Sequence, residues 1–182
     1  MKERGSASFI FLSRIARIKN LDFAMKVISQ VSGASLDIYG PAEDQKYWAE
    51  CKPLLSDKIR YCDPVEHGLV IPTFAEYEFS ILPSKSESFG HAIADSLRAG
   101  IPALISDKTP WKLDNEGITL PLIESEWIRA VEWCVDCDLP TYRFMAESAF
   151  KMSCDPSRRE SAISATANMF RSALNSQYRC TE

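Results

Sequence analysis

The sequence predicts an α/β fold, a Rossmann-like parallel sheet with helices on both faces and further helices toward the C-terminal end. Two observations predict it. Short apolar runs rich in strand-forming residues recur along the chain, and helically spaced apolar residues lie between them. This alternation is typical of parallel sheets, because parallel strands are joined by helices that cover both faces. A length of 182 residues fits one such domain.

Short runs of apolar and β-branched residues are the predicted strands. Five of them are Ala7–Leu12, Leu36–Tyr39, Ile59–Cys62, Phe79–Leu82 and Ile101–Ile105. A turn at Thr109-Pro110-Trp111 then precedes a predicted edge strand near Ile118–Leu122.

The segments between the strands are predicted helices, placed by their apolar residues. The first three helices carry Phe23, Met25, Val27, Ile28 and Val31, then Tyr47, Trp48, Cys51, Leu54 and Leu55, then Ile71, Phe74 and Tyr77. The fourth is expected to begin near Phe89 or Gly90 and to end at Gly100. Later helices are predicted from about Glu124 to Cys137, from Pro140 to Met152, and from about Pro156 to Leu174.

Composition and charge exclude several classes of protein. Hydrophobic residues make up 46% and charged residues 25%, which is typical of a globular chain and argues against disordered or fibrous classes. A net charge of −4 argues against a protein that mainly coats nucleic acid or an anionic membrane. The apolar run Phe9–Leu12 is too short for a signal peptide. We therefore expect a cytoplasmic protein with no nucleic-acid partner and at most indirect membrane association, whose six scattered cysteines are reduced thiols.

The stretch PSKSESFGHAIADSLRAG, residues 83–100, carries the main chemical signal. If a helix begins near Gly90, the backbone N–H groups of Ser88, Phe89, Gly90 and His91 have no intrahelical partners and lie at the positive end of the helix dipole. Such a loop is suited to bind phosphate. The alternative is a helix capped by Ser86 or Ser88 that binds nothing.

Cations follow the first predicted strand, at the same edge of the sheet. Arg14 can donate a forked pair of hydrogen bonds to phosphate, and Lys19 can act as a point charge. With Arg17 they supply positive charge that a diphosphate needs. The alternative is a solvated basic loop.

Four segments together resemble a known family: SRIARIKN, LDIYG, IRYCDPV and LPSKSESFGHAIADSLRAGIPALISDKTPW, in this order. They are similar to the nucleotide-sugar-binding C-terminal domain of family 4 retaining glycosyltransferases, which have the two-domain GT-B architecture. The likeness covers about residues 7–125. It implies that residues 1–182 form a single donor-binding domain, and that the acceptor-binding N-terminal domain is absent from this chain and is supplied by a longer chain or a partner subunit.

The resemblance also assigns roles to residues. It places Glu87 near the donor sugar as the catalytic acid of the family's E-x7-E motif, and Asp95, where the family has a second glutamate, near the ribose. Arg14 and Lys19 match the diphosphate-binding pair, and Ser88, Phe89, Gly90 and His91 line the diphosphate. Cys62, Asp63 and Val65 occupy the base-binding turn, in which the family usually has glycine at the position of Asp63. The resemblance implies a hexosyl transfer from a nucleotide sugar with neither metal nor cofactor.

Two further motifs and two alternative functions also arise from the sequence. The C-x2-C motif at Cys134 and Cys137 is read as structural rather than as a zinc or redox site, since no further ligands are near in sequence. Asp136-Cys137-Asp138 spells a D-x-D motif, but it follows a predicted helix rather than a strand. The alternatives to a transferase are a noncatalytic nucleotide-sugar-binding module or subunit, and another GT-B enzyme such as a nucleotide-sugar epimerase.

Overall fold

A computed structural model describes residues 2–155 of the chain. The predicted amphipathic segment Pro156–Leu174 and Cys180 lie outside this range. Within it, six parallel strands form one sheet in the order β3-β2-β1-β4-β5-β6. The strands are β1 (Ala7–Leu12), β2 (Ala34–Tyr39), β3 (Ile59–Tyr61), β4 (Phe79–Leu82), β5 (Ala103–Ser106) and β6 (Gly117–Leu120). The predicted Rossmann-like parallel sheet is confirmed.

Helices connect the strands and cover the sheet. They are α1 (Leu21–Gln30), α2 (Gln45–Cys51), α3 (Val70–Phe74), α4 (His91–Arg98), α5 (Glu124–Asp136) and α6 (Leu139–Cys154). Short 3-10 turns at Arg17–Lys19 and His67–Leu69 lead into α1 and α3, and another at Lys52–Leu54 extends α2.

Alternate residues of β1 enter two different clusters, because successive side chains of a strand point to opposite faces of the sheet. Phe9 and Phe11 are fully buried in the larger cluster, which includes residues of α1 and α5. Ile10 lies between them in sequence and packs instead with Phe74 of α3 and Ile101. The sheet is therefore buried on both faces, as its apolar strands predict.

Some predicted boundaries were wrong, for local reasons. β5 begins at Ala103 rather than Ile101, because Pro102 has no N–H to donate; its carbonyl still accepts from the Ser80 amide at 3.0 Å. The third helix ends at Phe74 rather than near Tyr77. There the Tyr77 hydroxyl turns toward Asp37 of β2, to which it donates at 2.8 Å.

The sheet order places two loops side by side. β1 and β4 are neighbours, although three helices and two strands separate them in sequence. The sheet grows from β1 toward β3 on one side and from β4 toward β6 on the other. In open parallel sheets such a reversal opens a crevice at the carboxyl ends of the strands, where ligands bind.

Candidate functional site

The loop from β4 to α4 forms one wall of this crevice. α4 begins at His91, preceded by Gly90 in a left-handed conformation with φ of 84°. A Cβ atom at Gly90 would lie 2.9 Å from Ile93 Cδ1, so both the backbone and the space favour glycine. No side chain caps the helix, so the alternative in which Ser86 or Ser88 is the cap was wrong.

The start of α4 leaves backbone donors available. The N–H groups of Ser88, Phe89, Gly90, His91 and Ala92 donate no hydrogen bond to any residue in the described range 2–155. Gly90 itself is buried, whereas Ser88 and His91 are exposed. The orphan amides therefore open toward the crevice at the positive end of the helix dipole.

Trp111 holds this loop in place, a role that the sequence did not reveal. Its indole Nε1 donates to the Phe89 carbonyl. The Phe89 ring packs between the rings of Trp111 and His91, with centroid distances of 5.8 and 4.8 Å. The predicted turn after β5 thus fixes the backbone from which the orphan amides project.

The loop after β1 forms the opposite wall. It is tied to the β4 loop through the backbone, since the Lys85 amide donates to the Ile18 carbonyl at 2.8 Å. The 3-10 turn that ends at Lys19 is followed by Asn20 in a left-handed conformation with φ of 60°. This sharp change of direction turns the Lys19 side chain toward the crevice.

Lys19 and Glu87, candidate residues from the two loops, form a direct ion pair. Their side chains are only 12% and 7% exposed, and Lys19 Nζ contacts Glu87 Oε1. The same carboxylate oxygen accepts from Ser84 Oγ at 2.9 Å. An ammonium group has three donors, so Lys19 can bind Glu87 and a ligand at once. The 68 positions between the partners explain why the pattern alone could not pair them.

Arg14 lies at the same edge but is exposed. Its Nη1 donates to both carboxylate oxygens of Glu43, at 2.9 and 2.6 Å. An exposed pair of this kind contributes only about 0–1 kcal/mol, so an anionic ligand can compete for the guanidinium. Arg17 is engaged elsewhere, with Glu50 at 2.5 Å and its guanidinium 5.1 Å from the centre of the Tyr47 ring.

His91 and Asp95 lie one turn apart on α4. His91 is exposed, and the Asp95 side chain is 25% exposed and pairs with Arg98 at 3.5 Å. One helical turn rises about 5.4 Å, so Asp95 stands back from the orphan amides by roughly that distance. Asp95 does not contact Glu87 in the described structure: Glu87 lies in the loop before α4, and Asp95 lies within the helix.

The predicted base-binding turn follows β3, two strands away from β1. Asp63 has a left-handed φ of 57°, which accounts physically for a glycine at this position in similar proteins. The Cys62 amide donates to Ile38 at 2.9 Å, which keeps the turn attached to β2. Burial raises the pKa of the Cys62 thiol, and the nearby charge of Asp37 raises it further. Asp63 is exposed, and Val65 is half-buried.

A buried acid lies beneath this turn and was missed by the sequence analysis. Asp37 is 7% exposed in the middle of β2 and accepts a forked pair of hydrogen bonds from Arg60 at 2.9 and 2.7 Å. Tyr77 donates to the same carboxylate, and its hydroxyl also contacts that of Tyr39 at 2.8 Å. A charged residue inside a strand pattern gave the only hint of this network.

The C-x2-C thiols are buried rather than arranged for chemistry. Burial raises the pKa values of both Cys134 and Cys137, which keeps the thiols protonated. Asp138 caps α6 by accepting a hydrogen bond from the Thr141 amide at 2.9 Å, so the second acid of the D-x-D motif is a helix cap.

Within residues 2–155, no group of three or more His, Cys, Asp or Glu side chains is placed to hold a metal ion. None of the helices described above has the length and apolar character needed to cross a membrane.

Comparisons with known proteins identify the family and support the fold. Residues 6–136 match the family model described as glycosyl transferases group 1. A search of curated protein sequences gives no significant match.

Solved structures share the fold at low sequence identity. Sucrose-phosphate synthase from Thermosynechococcus elongatus superposes with a TM-score of 0.75 at 14% identity, over 94% of this chain and 46% of that chain. A variant of S. aureus TarM in complex with fondaparinux, α-GlcNAc-glycerol and UDP gives 0.72 at 13%, over 92% and 36%. The catalytic domain of cholesterol-α-glucosyltransferase from Helicobacter pylori gives 0.69 at 15%, over 81% and 97%. The chain thus spans less than half of the first two proteins.

Proposed function

The chain belongs to the group 1 glycosyl transferases, and we propose that it is the donor-binding half of a retaining member of that family. In this proposal the domain binds a nucleoside diphosphate sugar. A hexosyl group then passes to an acceptor held by an N-terminal domain or a partner subunit. The observation that carries the proposal is the contact of two loops at the β1–β4 crevice, where Lys19 pairs with Glu87 next to the orphan amides that precede α4.

The diphosphate is assigned to this crevice. The orphan amides of residues 88–92 and the two remaining protons of the Lys19 ammonium supply donors, and Arg14 supplies a guanidinium that exchanges Glu43 for phosphate. In the reaction the bond between the sugar and the leaving phosphate breaks, and negative charge grows on that phosphate. Fixed donors and cations stabilise this charge as it develops. We therefore propose that the reaction needs no divalent metal.

The strand order also supports a proposed position for the base of the nucleotide. Neighbouring strands lie about 4.8 Å apart, so the turn after β3 is about 10 Å from the loop after β1. A nucleoside extending from the crevice spans that distance, which supports the proposal that Cys62, Asp63 and Val65 bind the base; the proposal that Asp95 binds the ribose rests on the family resemblance. UDP in the structurally similar TarM complex supports a nucleotide ligand.

A labelled-donor experiment tests this function. The chain is incubated with UDP-glucose, GDP-glucose or ADP-glucose labelled in the sugar, alone and with the N-terminal domain of a GT-B glycosyltransferase. We expect binding without turnover by the chain alone, and transfer of label to acceptor only with the second domain. Glu87→Gln in this chain should lower that transfer.

Other outcomes separate the competing functions. Inversion of the labelled sugar while it stays on the nucleotide would identify an epimerase. Binding that never leads to transfer with any acceptor domain would identify a noncatalytic module. Failure of all three donors and their diphosphates to bind would contradict the proposed function.

A further inference from the structure

The two oxygens of the Glu87 carboxylate have different surroundings. Oε1 accepts from Ser84 Oγ at 2.9 Å and also contacts the Lys19 ammonium. Oε2 receives no hydrogen bond from any residue between 2 and 155, yet it is not among the buried atoms that lack a partner, so it remains open to solvent. The side chain as a whole is 7% exposed. One oxygen is thus anchored within the protein, and the other is free to accept a hydrogen bond from a ligand.

Ser84 is itself held from both sides. It is fully buried, and its carbonyl accepts from the hydroxyl of Ser106, which is also fully buried at the end of β5. The next residue, Lys85, donates its amide to Ile18 in the loop after β1 at 2.8 Å. The backbone of Ser84 is therefore fixed between β1 and β5. This positions the Ser84 hydroxyl for its hydrogen bond to Glu87.

A hydroxyl and an ammonium restrain a carboxylate differently. Lys19 is a point charge on a flexible stem, and its three donors impose little direction. A bound diphosphate also attracts Lys19, so the contact with Glu87 is shared when the ligand is present. The single hydroxyl donor of Ser84 is on a short side chain and is directional. It is the contact that can keep the carboxylate oriented during the reaction.

We propose that Ser84 is a positioning residue: it holds Oε1 of Glu87 so that Oε2 accepts a hydrogen bond from a hydroxyl of the donor sugar. The inference rests on the proposed function, because it assumes that a sugar attached to the diphosphate lies over Glu87. Ser106 acts indirectly on Glu87, because its hydroxyl fixes the backbone of Ser84. Most of the diphosphate site does not depend on Ser84, since Arg14 and the orphan amides are held by other contacts.

The test compares each nucleoside diphosphate with its glucose conjugate by calorimetry on the 182-residue chain. The probes are UDP and UDP-glucose, GDP and GDP-glucose, and ADP and ADP-glucose. Ser84→Ala should change the Kd of the diphosphate less than about twofold, and should weaken the conjugate about fivefold to tenfold, which corresponds to the net loss of about one ordinary hydrogen bond. Ser106→Ala should weaken the conjugate in the same direction by a smaller factor.

Ser80→Ala is the matched control. Ser80 is also a buried serine of the β4 segment, and its hydroxyl lies 2.7 Å from that of Ser96, away from the crevice. This variant should leave the affinities for both ligands unchanged. In Glu87→Gln the amide nitrogen replaces Oε2, so adding Ser84→Ala to that variant should weaken the conjugate by less than about twofold more.

Three results would overturn the inference while leaving the diphosphate site in place. They are a Ser84→Ala chain that binds the conjugate like wild type, a Ser84→Ala chain in which diphosphate and conjugate weaken equally, and a wild-type chain that gains nothing from the glucose in any pair. Absence of binding by every diphosphate is a different result, because it contradicts the proposed function itself.

Discussion

At the scale of single residues, the buried pair of Lys19 and Glu87 governs how the site can be probed. Removing one partner of a buried ion pair leaves an uncompensated charge, which costs about 3–5 kcal/mol. Lys19→Ala would therefore reduce folding stability as well as ligand binding. Arg14 is the cleaner probe of the phosphate site, because its partner Glu43 is 51% exposed and remains solvated when the arginine is removed.

Asp95 tests the assignment of the ribose. We expect Asp95→Asn to weaken UDP, GDP, ADP and their nucleosides alike, because every one of them carries the ribose, by about 0.5–1.5 kcal/mol for a hydrogen bond. Asp95→Glu, which restores the acid usual in similar proteins, should keep or improve affinity. Calorimetry of the three diphosphates and their nucleosides measures both changes. Loss of affinity for diphosphates alone, with nucleosides unaffected, would place Asp95 at the phosphates instead.

Tyr142 makes the folding stability sensitive to alkaline pH. Burial raises the pKa of Tyr142 to about 12, and its ring packs edge-on against Phe79 at 5.5 Å. A tyrosine whose pKa is raised by folding stabilises the fold below its unfolded-state pKa of about 10, and this stabilisation is lost as the pH rises through the folded-state pKa. We expect the loss to be on the order of 2 kcal/mol.

Tyr142→Phe removes the ionisable group and should therefore match wild type at pH 8 and exceed it in unfolding free energy at pH 11 to 12. Denaturant titrations across this range give the comparison. Parallel pH profiles for the two chains would show that Tyr142 ionises without cost to the fold.

At the scale of elements, the strands were readable because a sheet buried on both faces needs apolar runs. β1 and β4 match their predicted ranges. The boundaries that differ depend on single backbone groups, such as the missing N–H of Pro102. Most contacts that build the site could not be read, because they join loops that the sequence keeps far apart. Trp111 and Phe89, and Lys19 and Glu87, meet only once the strand order is fixed.

Gly90 tests the start of α4. Gly90→Ala must adopt a left-handed φ, and its Cβ would press on Ile93 and on the Trp111 nitrogen, at 2.9 and 3.2 Å. We expect a loss of folding stability of about 1–3 kcal/mol and weaker diphosphate binding, since the orphan amides would shift. Gly68→Ala is the control, because open space surrounds that position and its φ is not left-handed. Equal effects of the two substitutions in denaturant titrations would contradict the role assigned to Gly90.

At the scale of the whole molecule, the sheet order explains how a chain of net charge −4 can bind an anion. The reversal between β1 and β4 brings Lys19 to Glu87, just before the start of α4, and Arg14 lies in the same loop as Lys19. The acidic residues Glu43, Glu50 and Glu87 hold the cations in the absence of ligand. The sequence predicted the fold and the sheet edge that carries the candidate site. It did not predict that acidic side chains pair with the cations there.

Calorimetric titration of the chain with UDP, GDP and ADP and with their nucleosides, in the presence of a chelator, tests whether the crevice binds a diphosphate without divalent metal. We expect at least one diphosphate to bind without divalent metal, and Arg14→Ala to weaken it by about 1–3 kcal/mol while changing its nucleoside little. Arg17→Ala is the matched control: it removes the same charge from the same loop, but its guanidinium is held at α2 by Glu50, Asp44 and the Tyr47 ring together, so it should weaken binding less than Arg14→Ala. Binding that is abolished by the chelator and restored by manganese, or equal losses for diphosphate and nucleoside in Arg14→Ala, would contradict the account.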